Sequence, residues 1–164
     1  MSPAENITVY ARIHDLLRTA NVEFRTVEHE PTHTSAESAR VRGVPLGCGA
    51  KALLLKCDGA FRLFVMPADR KLQSRLVRSA LGVKDIRFAT AEELRELTGL
   101  VPGSVPPFGE PVLPFPLYAD VAIGREHAEV AFNAGELTRS IIMSAEMWAA
   151  VAKPQRLEFA VADS

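Results

Sequence analysis

The sequence predicts an α/β or α+β domain built round a mixed β-sheet. Three observations carry that expectation. Two apolar, strand-like runs, residues 50–56 and 61–66, are joined through Asp58-Gly59, a strong hairpin turn signal. Two capping boxes, Thr34-Ser-Ala-Glu37 and Thr90-Ala-Glu-Glu93, each open a helix. Short strand-like and helical segments are interspersed along the chain, with at least one hairpin among them, which is the pattern of a mixed sheet flanked by helices.

Taken in order, residues 8–20 carry Val9, Ile13, Leu16 and Leu17 at helical intervals, with Asn21 as a stop. Residues 22–27 alternate apolar and polar with period two and read as a half-buried strand ending before Pro31. The first capping box opens a helix over 35–42 that Gly43 ends. After the hairpin, residues 69–81 place Leu72, Leu76, Val77 and Ala80 at helical spacing, and 86–88 form a short strand. The second capping box opens a helix through Leu97, ended by Gly99. Residues 101–116 hold six prolines and two glycines, a density that no helix or central strand tolerates, so they form a loop of fixed shape. Strands follow at 117–119, 129–133 and 139–143, then a helix over 144–152 and a last strand at 157–161. With no repeat, low-complexity tail or linker, residues 1–164 are expected to form one domain.

The composition excludes several function classes. No apolar run approaches the ~20 residues that cross a bilayer, and Met1-Ser-Pro-Ala-Glu-Asn6 lacks the features of a secretory signal, so the expected compartment is the cytoplasm and no membrane contact is expected. Cys48 and Cys57 fit no metal or disulfide spacing and read as buried free thiols. His29 and His33 are four apart, but Pro31 between them argues against one helix face presenting both rings, and no metal site is expected. The formal net charge of −1 means that any nucleic-acid contact must be local. One patch is available: on a helix over 69–81, Lys71, Arg75 and Arg78 share the face opposite the leucines, where they either meet phosphates or form an ordinary solvated face.

The chemistry centres on the loop Gly103-Ser104-Val105-Pro106-Pro107-Phe108-Gly109. Two prolines lock its backbone, and a glycine at each end allows close approach or unusual dihedrals. Physics alone leaves open whether it is a preorganised pocket wall or a structural connector.

This loop resembles the Gly-x-x-x-Pro-Phe-Gly signature of the YbaK family, the bacterial prolyl-tRNA-synthetase-like editing domains. Other matching features fall in order: Lys51 at the start of the central hairpin, Leu117-Tyr-Ala-Asp120 as a strand ending in Asp, and Phe132-Asn-Ala-Gly135 followed by Ser140-Ile. The N-terminal helix, the His29-Glu-Pro31 strand end and the Thr34-Ser-Ala-Glu37 helix start also match, so the resemblance covers residues 9–151.

The resemblance implies a barrel-like mixed sheet flanked by helices, with neither metal nor organic cofactor. It implies a free-standing hydrolase for mischarged aminoacyl-tRNA, commonly tRNA for proline carrying a small amino acid such as alanine or cysteine. The partner is then the aminoacyl-tRNA 3′ end, with a synthetase as a further one. On this reading Lys51 holds a phosphate or ribose of the 3′ end. The loop cradles the ester, Gly109 or Phe108 N–H stabilises the oxyanion as water attacks, and Gly135 belongs to the pocket. Gly109, following Pro106-Pro107-Phe108 where the loop must turn, is expected in a backbone conformation that a β-carbon would disfavour, such as positive φ. No Ser-His-Asp or Cys-His arrangement is evident, which disfavours an acyl-enzyme. Two departures alter the wall that contacts the amino acid: Glu136-Leu-Thr138 stands where relatives often place a histidine, and Ala52 follows the lysine in place of a small polar residue. A second reading fits the same residues, a non-catalytic tRNA- or amino-acid-binding regulator of this fold, and a third, a subunit that docks on a synthetase, draws on the apolar composition.

Overall fold

A computed structural model of the chain describes residues 7–162. The first six residues, on which the expectation of an N-terminus without a secretory signal rests, lie outside it. Helix α1 (Val9–Thr19) is capped by Thr8, whose hydroxyl accepts from Ala11 N at 3.1 Å, and buries Val9, Ile13 and Leu17 along one stripe. Strand β1 (Phe24–Glu28) leads to α2 (Ser35–Arg42), capped by Thr34 and ended by Gly43 at φ +71°. A single 3-10 turn, Leu46–Cys48, delivers the chain into the hairpin β2 (Ala50–Cys57) and β3 (Ala60–Pro67), which Asp58-Gly59 closes as expected.

The helix expected over 69–81 is shorter than its periodicity suggests. Residues Arg70–Leu72 form strand β4, and α3 (Ser74–Leu81) begins only after Gln73. Pairing with the chain's last strand decides this, since Gln73 N donates to Phe159 O at 2.8 Å and Leu72 lies opposite Ala160. Lys71 therefore sits on a strand while Arg75 and Arg78 sit on a helix. All three are exposed, but they are not one helical stripe.

Strand β5 (Ile86–Phe88) precedes α4 (Ala91–Thr98), where Thr90 and Glu93 complete their capping box in both directions. Arg87 clamps the Glu93 carboxylate with Nη1 at 2.7 Å and Nη2 at 2.9 Å, and this contact holds the carboxyl down at about 2. A depressed carboxyl adds stability that is complete above its unfolded value and is lost as pH falls through the folded one. Thermal melts should therefore show wild type losing more stability than Glu93→Gln between about pH 5 and pH 2. Superimposable profiles would show that the clamp adds nothing.

The remaining elements are β6 (Leu117–Asp120), β7 (Glu129–Asn133), β8 (Arg139–Ser144), α5 (Ala145–Ala152), β9 (Gln155–Leu157) and β10 (Ala160–Ala162). The single last strand expected at 157–161 is thus two strands in different sheets. The buried Asp120 carboxylate redirects the chain between them, its Oδ1 accepting from Phe159 N and Ala160 N at 2.9 Å each.

Five strands form the central sheet in the order β5-β2-β3-β6-β9, with β6 parallel to both neighbours. A second, antiparallel sheet runs β1-β8-β7, and β10 pairs with β4 alone. The mixed sheet is as expected, but it does not close into a barrel. The central sheet ends at two three-residue strands, and among the described residues only an isolated parallel bridge, Gly49 to Ala131, joins it to the second sheet by backbone pairing. Alternating residues of β2 and β3 feed two apolar clusters. Leu54, Leu63 and Val65 pack with Phe108, Phe132 and Trp148, whereas Leu55, Phe64 and Met66 pack with Val77, Tyr118 and Phe159. Cys48 and Cys57 are free and buried, and burial pushes both thiols up. No helix among the described residues is long and apolar enough to cross a membrane.

Candidate functional site

Where the two sheets meet at the Gly49–Ala131 bridge, a cleft of about 310 Å³ opens. One wall is the first half of β2, Ala50 to Leu53, including Lys51. A second is the approach to α2 with its first turns, where Thr32, Ser35 and Ser38 face inward. Gly103 and Val105 of the proline-rich loop form the third, and Ala131 and Asn133 of β7 the floor. Lys51 is exposed at the edge of this cleft, and the loop borders the same space, as expected. A larger open groove, about 1040 Å³ between α1, β1 and β8, contains none of the expected residues. The smaller cleft is the better candidate because polar groups from distant segments converge on it.

The floor is a hydrogen-bonded relay. Arg42, at the end of α2, donates from Nε to Ser140 Oγ at 2.8 Å and from Nη2 to Asn133 Oδ1 at 3.0 Å. Asn133 Nδ2 donates to Gly103 O at 2.8 Å, tying the loop to β7. Ser140 Oγ donates to Asn133 Oδ1 at 3.1 Å, and His29 joins the relay with Nε2 2.8 Å from Ser140 Oγ and Nδ1 2.8 Å from Glu30 O. Burial pushes the Arg42 guanidinium down to about 10, so it stays charged at neutral pH, and among the described residues no carboxylate pairs with it. Asn133 and Ser140 are buried, as are the Thr32 and Ser38 hydroxyls, which bond each other at 2.7 Å. His29 is engaged in this relay, whereas His33 is exposed. Among the described residues no three His, Cys, Asp or Glu side chains converge.

The loop divides sharply by role. Gly103, at φ +88°, and Val105 line the cleft. Ser104 is 2% exposed, with its hydroxyl turned to Val101 O at 2.8 Å and its carbonyl accepting from Gly135 N at 3.0 Å, so it carries no nucleophile. Pro107 O is held by Trp148 Nε1 at 2.9 Å, and Pro106 is buried beside it. Phe108 lies in the core, edge-on to Phe132, and its N–H is given to Pro106 O at 2.9 Å.

Gly109 is buried and does not line the cleft, and the positive φ expected for it is absent. Glycine is required there for a different reason: a β-carbon would come 2.7 Å from Phe115 O and 3.3 Å from Leu117 Cβ. Gly135, at φ +83°, likewise lies outside the cleft lining and acts as the loop's tether. The changed segment after it forms a surface pair, Glu136 with Arg139 at 3.1 Å. Asp120, at the end of its matching strand, serves the chain crossing already described rather than the cleft.

Sequence reasoning missed Arg42, Thr32 and Ser38 outright, and named Asn133 and Ser140 only as parts of a segment. Arg42 figured only as the last residue of the helix over 35–42. Asn133, closing the apolar run Val130-Ala-Phe132, was the one local signal of a buried polar group.

A family model described as an aminoacyl-tRNA editing domain matches residues 29–150. Over 161 residues, 95% of each chain, the sequence is 33% identical to the Multifunctional Ser/Thr-tRNA deacylase ProXp-y of Escherichia coli (strain K12). It is 34% identical over 87 residues to the proline–tRNA ligase of Bacillus licheniformis, a match spanning 53% of this chain and 15% of that protein. Among solved structures, a candidate trans-editing enzyme for prolyl tRNA synthetase superposes with a TM-score of 0.78 at 26% identity, covering 100% of this chain and 99% of the other.

Proposed function

This chain belongs to the aminoacyl-tRNA editing domain family, and from that premise we propose how its trans-editing deacylase activity is directed. The substrate is the 3′ end of a tRNA, that for proline first, carrying a small, wrongly attached amino acid, and hydrolysis takes place in the cytoplasm by a positioned water. Serine and threonine stand ahead of alanine and cysteine. The observation that carries this order is the Thr32–Ser38 hydroxyl pair in the cleft wall. Two hydroxyls bonded to each other use one of their two protons, leaving one donor for a substrate hydroxyl. A site built to bond a hydroxyl discriminates strongly against analogues that lack it. Lys51 meets the phosphate or ribose of the 3′ end, and Arg42, a cation with no carboxylate partner among the described residues, holds the floor that positions Gly103. A synthetase is a further partner in this proposal.

The test is release of amino acid from pre-charged tRNA, using serine, threonine, alanine and cysteine on tRNA for proline and on one unrelated tRNA. Multiple turnovers with a hydroxyl preference are expected. Binding without turnover would instead identify a non-catalytic tRNA-binding regulator.

Affinity for tRNA should be modest and salt-dependent, since the formal net charge is −1. Although Lys71, Arg75 and Arg78 lie on two elements, all are exposed on neighbouring segments. Neutralising the three together should weaken binding and reduce the salt slope by about one unit for each phosphate that a cation no longer meets. An unchanged slope would remove this surface from the tRNA path.

A further inference from the structure

Backbone parity leaves one rung of β2 empty inside the cleft. Cys57 and Ala60 close the two-residue turn, and Ala68 N donates to Gly49 O at 2.8 Å. Because successive residues of a strand direct their N–H and C=O to opposite edges, Gly49, Lys51, Leu53, Leu55 and Cys57 direct theirs to β3. Ala50, Ala52, Leu54 and Lys56 direct theirs to the other edge. There Leu54 O accepts from Ala89 N at 2.9 Å, Lys56 faces Arg87 of β5, and the bridge to Ala131 occupies the end beside Ala50. The register that sets Phe88 opposite Leu55 would set Ala91 opposite Ala52, but the chain turns away at Thr90 to begin α4. Ala52 is left with an N–H and a C=O that have no backbone partner among the described residues, in a stretch that lines the cleft.

In a hydrogen-bonded antiparallel pair, each residue gives its N–H to the other's C=O. An aminoacyl ester offers the same two groups on one Cα, an α-ammonium donor and a carbonyl acceptor. We propose that the aminoacyl group docks as the missing partner residue of Ala52, whose N–H donates to the ester carbonyl oxygen while its C=O accepts from the α-ammonium. The proposal rests on the deacylase reading of this cleft.

Two observations favour it. Among the described residues no Asp or Glu lines the cleft, so neutral oxygens there receive the ammonium. The loop donors first expected for the carbonyl are spent or buried elsewhere, with Phe108 N on Pro106 O and Gly109 outside the lining. As water attacks the carbonyl carbon, the π pair moves onto the carbonyl oxygen, where Ala52 N–H meets the new charge. When the pair returns, the bond to the ribose oxygen breaks and that oxygen takes the proton given up by the water. The products are the free amino acid and a ribose hydroxyl.

Ala52→Pro deletes this donor and leaves the ladder to β3 intact, a change that edge positions tolerate. Turnover of seryl-tRNA should fall by about 10²–10³-fold, the range for loss of one oxyanion donor, while binding of uncharged tRNA is unchanged. A folded Ala52→Pro protein working within about threefold of wild type would overturn the proposal.

Because proline could prevent folding, wild type labelled with nitrogen-15 provides an independent test. The Ala52 amide resonance should move on addition of the seryl amide of 3′-amino-3′-deoxyadenosine, and not with 3′-amino-3′-deoxyadenosine itself. An unmoved Ala52 resonance overturns the docking rung whatever the variant does. A resonance that moves in a protein unable to hydrolyse any charged tRNA supports the rung and overturns the hydrolase reading instead.

Discussion

Lys51→Ala is expected to lower kcat/KM for deacylation by roughly 10- to 150-fold, the equivalent of ~1.5–3 kcal/mol for a charged hydrogen bond to the tRNA 3′ end. The side chain is exposed at the cleft edge, and among the described residues no carboxylate pairs with it. Its ammonium is therefore available to an incoming phosphate or ribose. Its backbone is fixed in the central hairpin opposite Met66, so removing the side chain leaves the ladder intact and should not lower the melting temperature. Lys51→Arg keeps the charge in a different shape and should recover part of the loss. Steady-state kinetics with one charged tRNA decide the matter: a well-folded alanine variant with wild-type kcat/KM would remove Lys51 from the mechanism.

Gly109→Ala is expected to act on the fold. A β-carbon 2.7 Å from a backbone oxygen cannot be relieved by turning a flexible side chain, so the chain must move near Phe115. Overpacking of this kind costs about 1–3 kcal/mol, and in a chain of this size each kcal/mol lowers Tm by about 2–4 °C. Below the lowered transition, deacylation per folded molecule should remain close to wild type, because Gly109 does not line the cleft. An unchanged Tm with a collapse in activity would return Gly109 to the chemistry. Calorimetry and a deacylation assay on the same preparation separate the two.

This reversal shows what a sequence can and cannot display. A glycine after two prolines announces a backbone constraint, but positive φ and close approach leave the same letter, and only the Phe115 carbonyl decides between them. The central hairpin was readable because Asp58-Gly59 and the apolar runs around it are local signals. The helix start at Ser74 was not, since Leu72 suits a period of two as well as 3.6 and its partner strand lies at the far end of the chain. The cleft followed the same rule. Lys51, Gly103 and Val105 were found through ordered motifs, whereas Arg42 gained its role from Asn133, 91 positions away. Asn133 itself was visible as a polar residue in an apolar strand, but its partner was not.

The lone Gly49–Ala131 bridge has an evolutionary consequence. A cleft between two strands of one ladder has its breadth fixed by hydrogen-bond geometry, and changing it means rewriting a register. Here the facing walls belong to different sheets, and their spacing depends on how side chains such as Phe108 and Phe132 fill the space behind them. Interior substitutions of a methylene or two can then widen or narrow the opening while every strand keeps its partners. Descendants of one ancestral scaffold can in this way drift from one cargo size to another through intermediates that all still fold.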